Sequence, residues 1–339
     1  MEDKKRNIAY DIVKFILAFG VIIIHFSANK DIIAFFRIAV PVFFMLSGYL
    51  CEKPGLDKSE RLARIKRLHK NQIKSTIFLG APCVVYQVVT SIYKFKIVNS
   101  SCIIQFWFMV ALIIITGIYY VLVRFNKEKI LFYLILPLLF GNLLLGCYSK
   151  ILLGADLLLR ISRNSIFVGL PFYSIGLFFR RFSLKLSVIQ KIAMFMVFIV
   201  FGVLQIIERR YVISFGDNIG NLYISTIFSS VALFLFVINT NLKVSASKYN
   251  KYIGNNFTFH IYCFHMVIGD IFLNFNISNV FLIFLSTIVF VYLIHIIQLF
   301  LKKHTSFKKK KLLKKCGVIY KLAYRKNSLV LADFFIAFL

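Results

Sequence analysis

Ten apolar runs, each close to the length of a bilayer crossing and separated by short polar connections, dominate the chain. They run approximately over 8–27, 31–50, 74–93, 103–123, 129–147, 165–180, 187–207, 221–240, 257–273 and 279–301. A spanning helix needs about 20 mainly apolar residues, and backbone polar groups inside a bilayer must be satisfied within the segment, which leaves helices as the spanning form. The runs therefore predict an all-α integral membrane protein of about ten transmembrane helices. The sixth and ninth runs are the shortest or most interrupted by polar residues. The first is too long for a cleaved signal peptide, lacks a small-residue cleavage site and carries Asp11 and Lys14 inside it.

Charge is placed as this reading requires. Charged residues make up only 16% of the chain against 60% apolar, too few to clothe a water-facing surface of this size. The net charge of +29 would suggest nucleic acid in a soluble domain, but the basic residues lie between the apolar runs, where they set topology and face anionic headgroups. Nucleic-acid binding and soluble enzymes are excluded. Counting from the amino terminus, 32 Lys and Arg fall on one side of the proposed spans and 8 on the other, with Lys14 and Arg37 left inside spans. The positive-inside rule then puts both termini in the cytoplasm.

Residues 1–301 read as one membrane domain and 302–339 as a basic cytoplasmic tail, whose charges serve topology. The six cysteines, Cys51, Cys83, Cys102, Cys147, Cys263 and Cys316, contain no C-x-x-C pair. They suggest no disulfide framework and no metal site, and fit as small apolar residues of a membrane core.

A charged side chain at mid-bilayer costs about 2.5–3.5 kcal/mol even on the lenient insertion scale, so each one is a candidate for function. The first run carries Asp11, Lys14 and His25. Lys14 and His25 are eleven residues apart, which returns them to nearly the same helix face roughly 16.5 Å apart along the axis. Asp11 and Lys14, three apart, are expected to pair. The second run returns inward after a short connection and carries Arg37 near the depth of His25. A permanent cation there favours the neutral imidazole, the form a general base requires. A lone interfacial histidine would be read as a hydrogen-bonded structural group; its alignment with Lys14 and adjacency to Arg37 favour function. Arg163 and Asn164 open the sixth run, where a cation and helix amino-terminal N–H groups make either an anion or sugar site or a simple cap. Tyr262 and His265, one turn apart, face one way and either line a cavity or bond between helices. Trp107 reads as an interfacial anchor.

Several motifs together resemble the membrane acyltransferase family 3. They are Lys14 and His25 with Asp11 in the first run, FRIAVPVFFMLSGYL at 36–50, Trp107-Phe108, Arg163-Asn164 followed by GLPFYSIG at 169–176, and IGNNFTFHIYCFH at 253–265. The resemblance extends over most of the chain. It implies an O-acyltransferase of the bacterial cytoplasmic (inner) membrane that moves an acyl group, most often acetyl, from cytoplasmic acyl-CoA to a hydroxyl of a cell-surface glycan or another exported acceptor, without a metal. On that reading His25 is the base or acyl carrier, Arg37 stabilises the oxyanion or holds His25 neutral, Lys14 and Asp11 belong to the acyl-CoA side, and Arg163, Asn164, Tyr262 and His265 bind substrate. The chain departs from many family members in having Lys14 in place of arginine, which keeps the charge but gives up bidentate recognition. An alternative from another class is a small-molecule transporter, as in the membrane part of serine racemases, which would use the same intramembrane charges as a relay. Against it stands the absence of a detectable inverted repeat or paired broken helices.

Overall fold

In the computed structural model the described residues are 5–93, 106–155, 164–216, 222–245 and 257–315, with side chains as far as Phe300. They form thirteen α-helices: α1 Ala9–Phe26, α2 Lys30–Phe36, α3 Ala39–Cys51, α4 Lys58–Tyr93, α5 Trp107–Arg124, α6 Ile130–Tyr133, α7 Ile135–Leu145, α8 Ser149–Leu153, α9 Leu170–Phe182, α10 Val188–Ile213, α11 Ile224–Ile238, α12 Phe257–Asn274 and α13 Val280–Lys315. A π-helical turn, Ser165–Gly169, leads directly into α9. Among the described residues the only sheet is a two-stranded antiparallel ribbon of β1 Lys5–Asn7 and β2 Lys243–Ser245, with Arg6 opposite Val244.

Each of the ten apolar runs is helical over most of its described length. Six of the helices are long and apolar enough to cross a membrane: Ala9–Phe26, Lys30–Cys51 taken across its bend, Lys58–Ile92, Trp107–Arg124, Val188–Ile213 and Val280–Phe300. Ile130–Leu145 and Ile224–Ile238 are shorter apolar helices. Two helices reach well beyond the apolar runs. The basic stretch before the third run is the first half of α4, and α13 continues past Leu301 to Lys315; both extensions are rich in lysine, a good helix former.

The core lies between α1, α3, α5, α9 and α11, which bury Leu17, Ile22, Phe44, Ile115, Phe172 and Phe234. At the crossing of α3 with α9 the two backbones come into direct contact. It forms because Gly48 and Gly176 stand at the contact, where a Cβ on Gly48 would run into the Tyr173 carbonyl and one on Gly176 into the Met45 carbonyl. The outward faces of α10 and α13 carry exposed Ile189, Ile192, Val203, Ile207, Phe281 and Leu293. A helix apolar on both faces is at home in lipid. The described cysteines, Cys51, Cys83, Cys147 and Cys263, are buried free thiols. Cys102 and Cys316 lie outside the described residues.

Candidate functional site

α1 is unbroken from Ala9 to Phe26, so Lys14 and His25 do stand on one face, near its two ends. His25 is in the last turn and exposed. Four residues later Asn29 caps α2, its side chain accepting from the Asp31 and Ile32 amides. This short, capped turn brings the chain straight back beside His25.

The second run is not one straight helix. α2 stops at Phe36, Arg37 and Ile38 form a turn, and α3 starts at Ala39. Pro41 accounts for the break: it has no N–H to give the carbonyl four residues back, that of Arg37, and its ring crowds that carbonyl. The bend places the Arg37 side chain in the same pocket as His25. That pocket is lined by Val21, Ile24, His25, Arg37, Val40, Pro41, Trp107, Val168, Leu222 and Tyr262, and encloses about 600 Å³ of empty space, some of it outside the protein envelope. Its polar groups are an imidazole, a guanidinium, an indole and a phenol, set in an otherwise apolar wall. Such a wall excludes water and strengthens the electrostatics of the few groups facing it.

Tyr262 reaches the pocket from α12, with its ring 5.5 Å from Phe108 and 6.5 Å from Phe43. His265, one turn on, is not in the lining. It is 1% exposed behind Tyr262, and its ring lies 5.6 Å from that of His25. Val168 belongs to the π-helical turn, a form concentrated at functional sites. Asn164 caps that turn, accepting from the Ile166 and Phe167 amides at 2.8 and 2.9 Å. Arg163 lies outside the described residues.

Lys14 sits at the other end of α1 and is half-buried. Its expected partner is engaged elsewhere: Asp11 accepts from the Arg6 guanidinium at 2.9 Å. The ribbon explains the difference, because β2 holds β1 and thereby lays Arg6 over the first turn of α1. Among the described residues Lys14 makes no ion pair. A half-buried ammonium whose nearby carboxylate, Asp11, accepts its hydrogen bond from Arg6 is a place an anionic ligand can occupy.

Trp107, an interfacial anchor by its place at the entrance of a span, instead lines the pocket, packed 6.2 Å from Phe44. A network beyond the opposite end of α3 was not legible as a unit. Glu52, 6% exposed, pairs with Arg61 at 3.1 Å and Arg181 at 3.7 Å. Glu128 pairs with the same two arginines at 3.1 and 3.3 Å, and the Tyr119 hydroxyl donates to Glu52. These bonds tie α4, the end of α3, the α5–α6 connection and the end of α9 together. The usable signal was scarcity: with 13 acidic residues among 42 basic ones, each carboxylate beside a span is a candidate clamp. Asp31 likewise holds Arg209 at 3.0 Å and Arg210 near the His25 end of the molecule.

A family model described as an acyltransferase domain, that of acyltransferase family 3, matches residues 7–296. No curated protein and no solved structure matches the chain.

Proposed function

The chain belongs to the membrane acyltransferase family 3, and from that membership together with the pocket we propose that it is an O-acyltransferase moving an acetyl group from cytoplasmic acyl-CoA to a hydroxyl of an exported acceptor such as a cell-surface glycan. The observation that carries this reading is the meeting of His25 and Arg37, from different helices, in one largely apolar pocket. A hydroxyl entering it finds an imidazole to take its proton, directly or after the imidazole has itself received the acyl group. The guanidinium stands where a tetrahedral oxyanion can be stabilised. Trp107 and Tyr262 supply an aromatic face and a phenol for a sugar-like acceptor. Acyl-CoA brings the activated thioester and several negative charges. Lys14, on the same face of α1 about three turns away and outside ion-pair distance of Asp11, which bonds Arg6, suits the anionic part of the donor.

Orientation belongs to the same proposal. With both termini in the cytoplasm of the inner membrane, Lys14 lies in the inner half and His25 near the outer mouth, which separates donor and acceptor sides along one helix. The test is transfer of label from acetyl-CoA to glycan acceptors by purified protein. Wild type transfers label, and His25→Ala, inserted and folded, does not; near-normal transfer by His25→Ala would overturn the reading.

A further inference from the structure

Nδ1 of the buried His265 lies 2.7 Å from the Tyr262 carbonyl oxygen. A carbonyl only accepts, so Nδ1 carries the hydrogen, and in a neutral imidazole the other nitrogen, Nε2, is then a lone pair. That Nε2 is buried and has no hydrogen-bond partner. Burying an acceptor without a donor costs about 1–3 kcal/mol, and such an exception in a membrane core calls for an explanation. A histidine serving only to hold helices together would spend both nitrogens on neighbours.

The ring beside His265 is that of His25, with centroids 5.6 Å apart and planes inclined by 40°. In this arrangement the two rings are neighbours without a hydrogen bond between them, and catalytic bonds are commonly long before substrate arrives. The register of the two helices is fixed close by. Phe26 fills a notch on α12 that exists because residue 269 is glycine, where any Cβ would overlap the ring.

We propose that His265 is a positioning residue for His25. Its Nε2 lone pair accepts the N–H of the His25 imidazole and so fixes the His25 tautomer, leaving the opposite nitrogen of His25 as the lone pair turned to the pocket. The role rests on the acyltransferase reading above, written for direct attack of the acceptor. The acceptor O–H bond breaks and its proton goes to the pocket-side nitrogen of His25 as the oxygen bonds to the acyl carbon. The C–S bond then breaks, the electron pair leaves on sulfur, and the CoA thiolate takes the proton from His25, which returns to neutral. His265 keeps its own protonation state throughout and shares the charge of the transient imidazolium through one hydrogen bond.

Two substitutions separate this role from packing. His265→Leu removes the acceptor while filling most of the space, and His265→Gln can return an oxygen near the Nε2 position. In acyl transfer by purified full-length protein, His265→Leu should lower kcat about 100-fold, the lower end of what a positioned base contributes, with KM for acetyl-CoA within about twofold. His265→Gln should regain at least about tenfold of that loss. Placed in a His25→Ala background, His265→Leu should cause no further loss, because a residue acting through another adds nothing once that other is gone. Imidazole 15N shifts of histidine-labelled protein give a readout without turnover: one fixed His25 tautomer in wild type and His265→Gln, and a mixture in His265→Leu. If His265→Leu does not accumulate, the tautomer and kcat of His265→Gln decide: a single tautomer with activity nearer wild type than His25→Ala supports the role, and mixed tautomers overturn it. Undiminished turnover of His265→Leu beside an inactive His25→Ala overturns this role alone. Full activity of His25→Ala overturns the function reading and this role together.

Discussion

The α3–α9 crossing makes a prediction whose size can be worked from geometry. A methyl at residue 176 would overlap the Met45 carbonyl oxygen and lie 2.8 Å from the Met45 carbonyl carbon and 2.9 Å from Tyr49 N. All three atoms are backbone, so no side chain can turn aside, and reaching ordinary carbon contact at about 3.5 Å requires the helices to part by several tenths of an ångström or more. Overpacking of this kind costs about 1–3 kcal/mol, offset by up to about 1 kcal/mol of helix propensity for Gly→Ala. With rigid backbone on both sides the upper end applies, and Gly176→Ala should destabilise by about 2 kcal/mol. Gly48→Ala meets the Tyr173 carbonyl in the same way. The double variant should cost less than the sum, because helices parted for one methyl have already made room for the other. Gly80 is the control: a Cβ there lies 3.8 Å from the Phe106 ring, so Gly80→Ala should be neutral or slightly stabilising. Unfolding in mixed micelles can be followed through Trp107, the single tryptophan, which packs on Phe44 of α3. A Gly176→Ala protein within about 0.5 kcal/mol of wild type, or a strictly additive double variant, would refute the argument. Function should follow stability here, since α3 also supplies Val40 and Pro41 of the pocket wall.

Three further outcomes follow from particular contacts. Because Asp11 pairs with Arg6, Lys14→Met should leave thermal stability near wild type and raise KM for acetyl-CoA, whereas Arg6→Met should cost up to about 1 kcal/mol with KM unchanged; unfolding midpoints and donor kinetics check both. Glu52→Ala strips a buried carboxylate from Arg61, Arg181 and the Tyr119 hydroxyl while Glu128 still pairs with both arginines, and should destabilise by about 1–3 kcal/mol, measured by the same unfolding titration. Asp57 caps the start of α4, accepting from the Glu60 amide at 2.8 Å, and this bond and those from Ser59 hold its carboxyl below the usual range. Its contribution is therefore present at neutral pH and is lost as pH falls through that lowered value. Protection factors over the first turn of α4, taken against the intrinsic exchange rate at each pH, should fall in acid in wild type and be low at all pH in Asp57→Ala.

Much of the site was legible because it depends on local distances along the chain. Eleven residues of one helix fix the relation of Lys14 to His25, and a short connection brings Arg37 to the depth of His25; the bend at Pro41 that turns Arg37 inward leaves no mark in the apolar run. Contacts set by distant segments were not legible. Spacing alone pairs Asp11 with Lys14, yet a ribbon to residues 243–245 delivers Arg6 to it. Glu52 and Glu128 sit among basic residues with nothing local to single them out, and only the packed helix ends bring them to the same two arginines. Trp107 has the composition of an interfacial anchor; the pocket beneath it exists because α3, α5 and α12 converge there. The long helical lead of α4 was hidden for another reason: a run without apolar periodicity leaves no mark in the hydrophobic pattern, although its residues favour helix.

The most direct test of the account is sidedness in sealed vesicles with the protein inserted in one orientation. With labelled acetyl-CoA supplied only to the face bearing the termini and a glycan acceptor only to the opposite face, the account predicts acetyl label on the acceptor, lost in His25→Ala and not restored by adding donor to the acceptor side of wild-type vesicles from which the inner supply is withheld. Label that forms only when donor and acceptor share a side, or movement of a small molecule across the membrane with no acyl transfer, would contradict it.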